Sequence, residues 1–292
     1  MNTDIELVAI GADAERRLAR AARWLPAYES RFSRFRGQSE LSRLNASGRP
    51  FHASPALFRL VELAIEFARR SDGMFDPAVL RRLEEAGYDR SFELLSSTPP
   101  RLAGAAIPRS SWRDVRLDPD TGTIDLPEGI GIDLGGIGKG FAVDRVAAIL
   151  GTPCLVNCGG DVFAAGRPPG EESWWIGVSD PFHPKRDLMV LTVEDRGVAT
   201  SSTLSRRWSV DGEERHHLID PRTGEPSTSD AVQVTVVAPT AVEADYHAKV
   251  ALLHGAEAGM QYVNTQPAIE GLAVRVDGAL LQSAGFGGYW SG

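Results

Sequence analysis

A glycine-rich segment at residues 133–140, with the sequence DLGGIGKG, constrains the fold of this chain more than any other stretch. Apolar residues precede it, which predicts a short strand ending at Asp133 and Leu134. The spacing that follows predicts a helix that begins near Lys139 and buries Phe141, Val146, Ile149 and Leu150. Because glycines leave room beside the backbone and the first N–H groups of a helix face outward, such a turn suits a phosphate group, and Lys139 adds a positive charge.

The glycines alone leave a second interpretation open. The same sequence suits a tight strand-to-helix turn that binds nothing. Its spacing matches neither the G-x-G-x-x-G pattern of dinucleotide-binding folds nor the G-x-x-x-x-G-K-[ST] pattern of P-loops. If the segment binds phosphate, it therefore does so in a different kind of fold.

The composition is that of an ordinary globular protein. Of the 292 residues, 42% are hydrophobic and 24% charged, enough for a sizeable core in one large domain or two small ones. The net charge of −8 argues against nucleic acid or an anionic membrane surface as a general partner. The acidic N-terminus has no apolar run of signal-peptide length, and no segment approaches the roughly 18 apolar residues of a membrane span. We therefore expect a cytoplasmic protein with no membrane insertion.

The two cysteines, Cys154 and Cys158, lie four positions apart in a predicted strand. Four residues along a strand span roughly 13 Å, which is too far for a disulfide bond. We therefore predict buried free thiols, which suit a reducing compartment.

The remaining periodicity predicts an α+β fold with an antiparallel-rich sheet. No linker is long enough to prove a domain boundary, and a single domain spanning residues 1–292 is expected. Helices are predicted at 18–32, after the capping pair Ser54-Pro55, at 241–253 and at 255–262. Residues 33–48 are predicted to be irregular, 99–108 a connection and 112–126 a hairpin. Strands are predicted at 5–10, 154–158, 162–165, 174–178, 188–193, 197–200, 208–210, 232–237, 269–276 and 279–282.

Residues 133–144, DLGGIGKGFAVD, closely resemble the D-[LF]-G-[GA]-I-[AG]-K-G-[YFW]-A-[VA]-D signature of the ApbE family, the FAD:protein FMN transferases. Further blocks agree with the family in order: FSRF at 32–35 with SEL at 39–41 and LN at 44–45, GMFDP at 73–77, NCGGD at 157–161, ATS at 199–201, HLIDPRTG at 217–224 and EAD at 243–245. Together these blocks cover nearly the whole chain, so the resemblance is more specific than any one motif.

The resemblance implies the ApbE-like, T-fold-related α+β architecture, with mixed antiparallel-rich sheets and flanking helices. It also implies that FMN is moved from FAD onto a Thr or Ser hydroxyl of a partner flavoprotein, with Mg²⁺ assistance and release of AMP. The pyrophosphate of FAD would bind between the glycine segment and the helix that carries Asp245. FAD and an acceptor flavoprotein are therefore the expected partners, and Mg²⁺ the expected metal.

The family pattern implies a set of residues around FAD. Asp133 and Lys139 match positions that contact the nucleotide, although a surface ion pair is the alternative. Phe35 matches an aromatic residue that packs on the isoalloxazine ring, whereas ordinary core packing is the alternative for Phe35, Met74 and Phe75. The implied FAD-binding residues are Met1, Phe35, Asn45, Met74, Phe75, Asp76, Asp133, Lys139, Thr200, Ser201 and Leu218.

Catalysis and metal binding are implied for fewer residues. His217 matches a family histidine suited to take a proton from the acceptor hydroxyl near neutral pH, and a capping or core role is the alternative. Asp245, also implied to be catalytic, would hold the metal together with the backbone carbonyls of Gly136 and Ala248.

The chain departs from the family pattern A-D-x-x-[AD]-T at Lys249, where the pattern has threonine. A protonated lysine donates hydrogen bonds but cannot bind a cation. Because positions i and i+4 share one face of a helix, the ammonium can pair with Asp245 and occupy the place of the metal. The alternative is an Asp–Lys pair on the surface. Ser202 replaces a family glycine and is expected to narrow the pocket.

Three rival functions stay open. Lys249 and Ser202 favour an FAD-binding protein of the same fold with weak or no transferase activity. An FAD pyrophosphatase would use the same site with water as the nucleophile. A generic nucleotide-binding domain is the third.

Overall fold

The computed structural model describes residues 3–95, 111–210 and 212–290. Met1, predicted to contact FAD, and the connection predicted at 99–108 lie outside these residues. The chain divides into two compact units. Unit 1 comprises Met1–Ala27, Ile137–Leu204 and Ser229–Gly292, and unit 2 comprises Tyr28–Gly136 and Ser205–Thr228. The single domain spanning 1–292 stays a prediction.

The described residues form seven α-helices and sixteen β-strands, in the α+β arrangement predicted from the sequence. The helices are α1 (Ala14–Phe32), α2 (Glu40–Asn45), α3 (Pro55–Arg70), α4 (Leu80–Glu85), α5 (Gly138–Leu150), α6 (Ala241–His254) and α7 (Ala256–Asn264). The strands are β1 (Ile5–Ala9), β2 (Phe51–His52), β3 (Arg116–Asp118), β4 (Thr123–Asp125), β5 (Cys154–Cys158), β6 (Asp161–Ala165), β7 (Trp174–Ser179), β8 (Asp187–Val193), β9 (Arg196–Ser202), β10 (Arg207–Val210), β11 (Glu213–His216), β12 (Ile219–Asp220), β13 (Glu225–Pro226), β14 (Ala231–Ala238), β15 (Glu270–Arg275) and β16 (Leu280–Gln282).

Unit 1 is built on a seven-stranded antiparallel sheet with the order β1-β5-β6-β9-β14-β15-β16. All eight residues of β14, with the sequence AVQVTVVA, are buried. A strand covered on both faces loses the alternation of polar and apolar residues, which explains this nearly continuous apolar run.

Two layers cover the sheet of unit 1. On one face, Val143, Val146 and Leu150 of α5 pack against Val156 of β5 and neighbouring residues. The β7–β8 ribbon packs in a second cluster with the sheet residues Val162, Ala164, Val198 and Val237. The helices therefore lie in a layer separate from the ribbon, and α5 places the glycine-rich segment at its N-terminal end.

A side-chain carboxylate and a close backbone approach join helices α5 and α6. The carboxylate of Asp144 accepts hydrogen bonds from the N–H groups of Ala241 and Val242, at 2.8 and 2.9 Å, so it satisfies donors that the first turn of α6 leaves open. Burial raises the pKa of Asp144 to about 6, because it outweighs these hydrogen bonds. A Cβ atom at Gly140 would lie 2.5 Å from the carbonyl oxygen of Ala241, so only glycine permits this approach.

Unit 2 contains α2, α3, α4, a three-stranded sheet β2-β4-β3 and two short ribbons, β10–β11 and β12–β13. Helix α3 begins as predicted, since the hydroxyl of Ser54 accepts a hydrogen bond from the N–H of Leu57 and Pro55 occupies the first turn. One apolar cluster of the unit joins α4 to both ribbons and consists of Leu83, Ala86, Tyr88, Trp208, Val210 and Ile219.

The strand predicted to end at Asp133 and Leu134 is wrong. The backbone here instead bonds to groups distant in sequence: the Asn45 side chain contacts both the N–H and the C=O of Ile132, and the Asp133 N–H donates to the carbonyl of Pro77. The irregular stretch predicted at 33–48 is also wrong in part, because it contains α2. Ser39 caps that helix by accepting a hydrogen bond from the N–H of Ser42.

Both cysteines are free and buried, as predicted, and burial raises the pKa of each thiol to about 11. Among the described residues, no helix combines the length and apolarity that crossing a membrane requires. The compartment stays a prediction.

Candidate functional site

The predicted site residues fall into two groups, one in each unit, and each group is described separately. The residues in unit 1 are Lys139, Thr200, Ser201, Asp245 and Ala248. The residues in unit 2 are Phe35, Asn45, Met74, Phe75, Asp76, Asp133, Gly136, His217 and Leu218.

The first turn of α5 carries the charged centre of the unit 1 group. Ile137 occupies the position before the helix and has no polar side chain with which to cap the first N–H groups. Lys139 lies in that turn, and its Nζ atom is 2.5 Å from Oδ2 of Asp161. Asp161 is only 1% exposed, so this carboxylate fixes the ammonium at the start of the helix. Cation and helix N-terminus together favour an anionic ligand.

Asp245 of α6 lies beside the same turn. Its Oδ2 atom accepts a hydrogen bond of 3.3 Å from the N–H of Gly140. Burial raises the pKa of Asp245, and the charge of Asp161 raises it further, whereas Lys139 and Lys249 act to lower it. The start of α5 therefore has two buried carboxylates whose mutual repulsion a nearby cation reduces.

The carboxylate oxygens of Asp245 are ligands of the kind that a divalent cation such as Mg²⁺ prefers. Mg²⁺ is commonly held by one or two carboxylates together with substrate phosphates and water. Over residues 3–95, 111–210 and 212–290, no three His, Cys, Asp or Glu side chains form a group able to hold a metal. A lone carboxylate such as that of Asp245 suits a site that substrate phosphates and water complete, and the carbonyl of Ala248 as a further ligand stays a prediction. Half-buried Lys249 lies four residues after Asp245, and its charge acts to lower the pKa of that carboxyl; whether the ammonium takes the place of a metal stays a prediction.

The predicted hydroxyl residues lie at the end of β9. The Oγ1 atom of Thr200 is 2.8 Å from that of Thr235, its cross-strand neighbour, and Ser201 pairs with Val234. Ser202 donates to the carbonyl of Val232 and accepts from the N–H of Leu204, at 3.0 and 3.1 Å. These bonds give the Ser202 side chain a structural use at the strand end, and narrowing of the pocket stays a prediction.

In unit 2, Asp133 is held by two donors. Its Oδ1 atom accepts from the N–H of Gly135 at 2.8 Å, and its Oδ2 atom lies 2.7 Å from Nε of Arg34. The guanidinium of Arg34 also packs over the rings of Phe35 and Tyr88, at 4.2 and 4.6 Å. Phe35 and Asp133, two predicted FAD-binding residues, therefore share one neighbour.

The block around Asp76 is largely buried. Met74 and Phe75 are 8% and 2% exposed, in keeping with the core alternative, and their contact with FAD stays a prediction. The carboxylate of Asp76 accepts from the N–H groups of Ala78 and Trp112. Burial raises its pKa to about 6, since the desolvation outweighs these bonds.

The side-chain amide of Asn45 forms two hydrogen bonds to the backbone of a single residue, Ile132. Its Nδ2 donates to the carbonyl of Ile132 at 2.9 Å, and its Oδ1 accepts from the N–H of the same residue at 2.8 Å. The side chain therefore fixes the backbone just before the glycine-rich segment, and a direct contact with the nucleotide stays a prediction.

The two adjacent histidines have different surroundings. His216 Nε2 is 2.9 Å from the carbonyl of Ser227, and its Nδ1 is 3.2 Å from the N–H of Leu218. This pattern fixes a neutral ring protonated at Nε2, and burial lowers the pKa of His216. His217 is half-buried, while Leu218 is buried and its carbonyl accepts from the N–H of Ser227. His216 thus has a structural use, and any role as a base falls to His217.

Sequence reasoning missed two charged residues of these groups. Asp161 ends the NCGGD block, which contained the available signal: an acidic residue at the start of a strand inside a matched motif. Arg34 lies inside the FSRF block, but its ion pair with Asp133 joins residues far apart in the sequence. Both residues hold predicted site residues in place.

The chain is similar to known flavin transferases in sequence and fold. Residues 1–273 match the model of the ApbE family. The chain is 31% identical over 273 residues to the FAD:protein FMN transferase of Treponema pallidum, covering 86% of this chain and 74% of that relative. It is 32% identical over 232 residues to the protein of the same name from Chlamydia trachomatis, covering 73% and 68% of the two chains.

Solved structures show the same similarity. The crystal structure of the ApbE protein from Thermotoga maritima superposes with a TM-score of 0.89 and 27% identity, over 99% of this chain and 96% of that one. The flavin transferase ApbE from Vibrio cholerae gives a TM-score of 0.82 at 24% identity over the same shares, a likeness of fold.

Proposed function

Because this chain belongs to the ApbE family, we propose that it is an FAD:protein FMN transferase. It moves FMN from FAD to a Thr or Ser hydroxyl of an acceptor flavoprotein and releases AMP. The acceptor oxygen forms a bond to the flavin-side phosphorus, and the bond from that phosphorus to the bridging oxygen breaks. AMP leaves with the bridging oxygen, and the acceptor hydroxyl gives up its proton.

The observation that carries this proposal is the charged cluster at the first turn of α5. Lys139, held by Asp161, supplies a fixed cation at the N-terminal end of α5, where the dipole of the helix also favours negative charge. A pyrophosphate needs both features, since its oxygens accept hydrogen bonds and carry negative charge. Lys139 therefore binds and orients the diphosphate of FAD, and Thr200 and Ser201 are proposed as further contacts of the nucleotide.

The unit 2 residues are proposed to bind the flavin and to handle the proton. Phe35 is 37% exposed, so its ring can stack on an aromatic ligand. The other proposed contacts are Asn45, Met74, Phe75, Asp76, Asp133 and Leu218. His217 takes the proton from the acceptor hydroxyl, a role that the bonds of His216 leave to its neighbour.

A divalent cation is the proposed metal, with Mg²⁺ as the expected ion. When bound, it would polarise the phosphate oxygens and stabilise the charge that develops on them. Asp245 would supply a carboxylate and Ala248 a carbonyl, both from α6 in unit 1. The carbonyl of Gly136, predicted as a further ligand, belongs to unit 2.

Incubation of the protein with FAD, Mg²⁺ and an acceptor flavoprotein domain tests the proposal. We expect AMP in solution and an acceptor whose mass increases by that of bound FMN. Release of free FMN together with AMP, without labelling of the acceptor, would favour the pyrophosphatase reaction. FAD that stays intact in the presence of a competent acceptor would contradict the transferase proposal.

Lys249 favours a second candidate, an FAD-binding protein with weak turnover. Its ammonium acts on Asp245 in the sense opposite to burial, as a metal ion would. One ammonium has half the charge of Mg²⁺ and cannot accept phosphate oxygens into an octahedral coordination shell. Tight FAD binding with turnover that Mg²⁺ barely changes would support this second candidate.

A further inference from the structure

The guanidinium of Arg34 is buried and held from several sides within unit 2. Its side chain is only 7% exposed, and its Nε lies 2.7 Å from Oδ2 of Asp133. Its terminal carbon lies 4.2 Å from the ring centre of Phe35 and 4.6 Å from that of Tyr88. Since the two ring centres are 5.5 Å apart, the guanidinium lies in a corner between them. Asp133 therefore binds the Nε end of the guanidinium, and the rings of Phe35 and Tyr88 pack against it.

The rings of Phe35 and Tyr88 differ in solvent exposure and packing. Tyr88 is 6% exposed and stacks on Trp208, with ring centres 5.2 Å apart and planes inclined by 28°. Phe35 is 37% exposed. Of the two rings, Phe35 is therefore the one that a ligand can contact.

One donor of Arg34 is not used within the described part of the chain. The Nη2 atom is buried, and none of the residues 3–95, 111–210 and 212–290 accepts a hydrogen bond from it. A buried donor without a partner is costly, and native proteins rarely retain one without a use. The guanidinium that carries Nη2 lies over the exposed ring of Phe35, which points to an acceptor carried by a flat ligand.

The charges around Arg34 restrict the chemistry of that acceptor. Asp133 already neutralises the guanidinium at close range, so little positive charge is left to attract a phosphate. A neutral carbonyl oxygen on a ring that stacks on Phe35 satisfies the donor without adding charge to a buried place. The flavin ring has such carbonyl oxygens, whereas the adenine ring of FAD has none.

We propose that Arg34 donates a hydrogen bond from Nη2 to a carbonyl oxygen of the flavin ring and so selects the flavin part of FAD. This inference rests on the proposed function, because it assumes that FAD is the ligand. Arg34 is then a specificity-determining residue, and Asp133 is the positioning residue that orients it.

Binding of riboflavin, FAD and AMP to the purified full chain tests the inference. Arg34→Lys keeps a positive charge beside Asp133 but has one nitrogen, so it cannot also place a donor where Nη2 lies. We expect it to weaken riboflavin and FAD binding by about tenfold or more, which is typical for a lost hydrogen bond to a charged group. AMP affinity should stay within about twofold. The quenching of flavin fluorescence at saturation should also change.

Arg36→Lys is the matched control, because Arg36 is two residues away, exposed, and paired with Glu29 at 3.3 Å. It should leave the affinity for every ligand unchanged. Melting curves and circular dichroism without ligand establish that each variant folds. Riboflavin affinity equal to wild type in Arg34→Lys, or equal losses for AMP and riboflavin, would overturn the inference while leaving the transferase proposal intact. A wild-type protein that binds no flavin would overturn both.

Discussion

The Nζ atom of Lys139 lies 2.5 Å from the Oδ2 atom of Asp161, a carboxylate that is almost completely buried. An exposed lysine samples many rotamers, and ordering it on a ligand costs conformational entropy. Here the protein fixes the side chain before any ligand arrives. The ammonium at the start of α5 is therefore preorganised to bind an anion.

Lys139→Met should weaken FAD binding by about 10- to 100-fold, which is the usual effect of losing a charge-assisted hydrogen bond. Riboflavin, which has no phosphate, should bind almost as it does to the wild type. Fluorescence titration measures both affinities. Lys185→Met is the matched control, since Lys185 is exposed in a surface turn. Equal losses for FAD and riboflavin would contradict a role of Lys139 in phosphate binding.

His217→Ala should lower the rate of FMN transfer by about 10²–10⁴-fold, because loss of a general base typically has an effect of this size. FAD affinity should change little, since the base acts on the acceptor hydroxyl. Single-turnover labelling of the acceptor and FAD titration provide the two measurements. His183→Ala, at an exposed histidine paired with Asp180, is the control. A parallel loss of FAD affinity in His217→Ala would instead make His217 a residue that holds the nucleotide.

Lys249→Thr should increase the affinity of the FAD complex for Mn²⁺ or Mg²⁺ and make transfer more dependent on the metal. The ammonium that competes for Asp245 is removed, and a hydroxyl that can bind a cation takes its place. Calorimetric titration with metal gives a readout independent of activity. Lys249→Met, which removes the charge without adding an oxygen ligand, separates the two causes. Strong metal binding by the wild type, unchanged in Lys249→Thr, would contradict competition by Lys249.

Asp144 should make the free energy of unfolding depend on pH in a defined window. Burial raises its pKa from 3.8 to about 6, so its contribution is most favourable below about pH 4 and is lost as the pH rises through about 6. Relative to wild type, Asp144→Asn should therefore gain about 2 kcal/mol between pH 4 and pH 7, since one pKa unit corresponds to roughly 1.4 kcal/mol.

Urea unfolding at several pH values measures this difference. Asn keeps one oxygen acceptor for two N–H groups of α6, so the variant should be less stable than wild type at pH 4. Asp13→Asn, at an exposed carboxylate, is the control and should show no such trend. A constant difference between Asp144→Asn and wild type from pH 4 to pH 7 would contradict the raised pKa.

Local patterns in the sequence were sufficient to predict much of the fold. The Ser54-Pro55 start of α3 and the apolar stripe of α5 depend on neighbours within a few residues, and the structure confirms both helices. Of the stripe predicted to be buried, Phe141 and Ile149 are only half-buried. The strand predicted at Asp133 failed because Asn45, 87 positions away, supplies the bonds that a neighbouring strand would provide to Ile132. Periodicity contains no information about such a partner.

The site residues likewise divide into those that the sequence could predict and those that it could not. Lys139 could be predicted because it belongs to the glycine-rich segment itself. The ion pairs that orient this group and Asp133 could not be predicted, since Asp161 and Arg34 come from distant parts of the chain. The different uses of His216 and His217 likewise depend on the carbonyl of Ser227, which folding brings beside only one of the two rings.

The approach of Gly140 to the carbonyl of Ala241 has a consequence for engineering the enzyme. The separation of α5 from α6 is fixed by main-chain atoms in contact, so exchanging side chains nearby leaves that separation unchanged. Residues such as Lys249 and Ser201 can therefore be varied in libraries for new acceptors or metals while the scaffold keeps its dimensions. Position 140 belongs outside such libraries, because even alanine there would force the two helices apart and shift every group they carry.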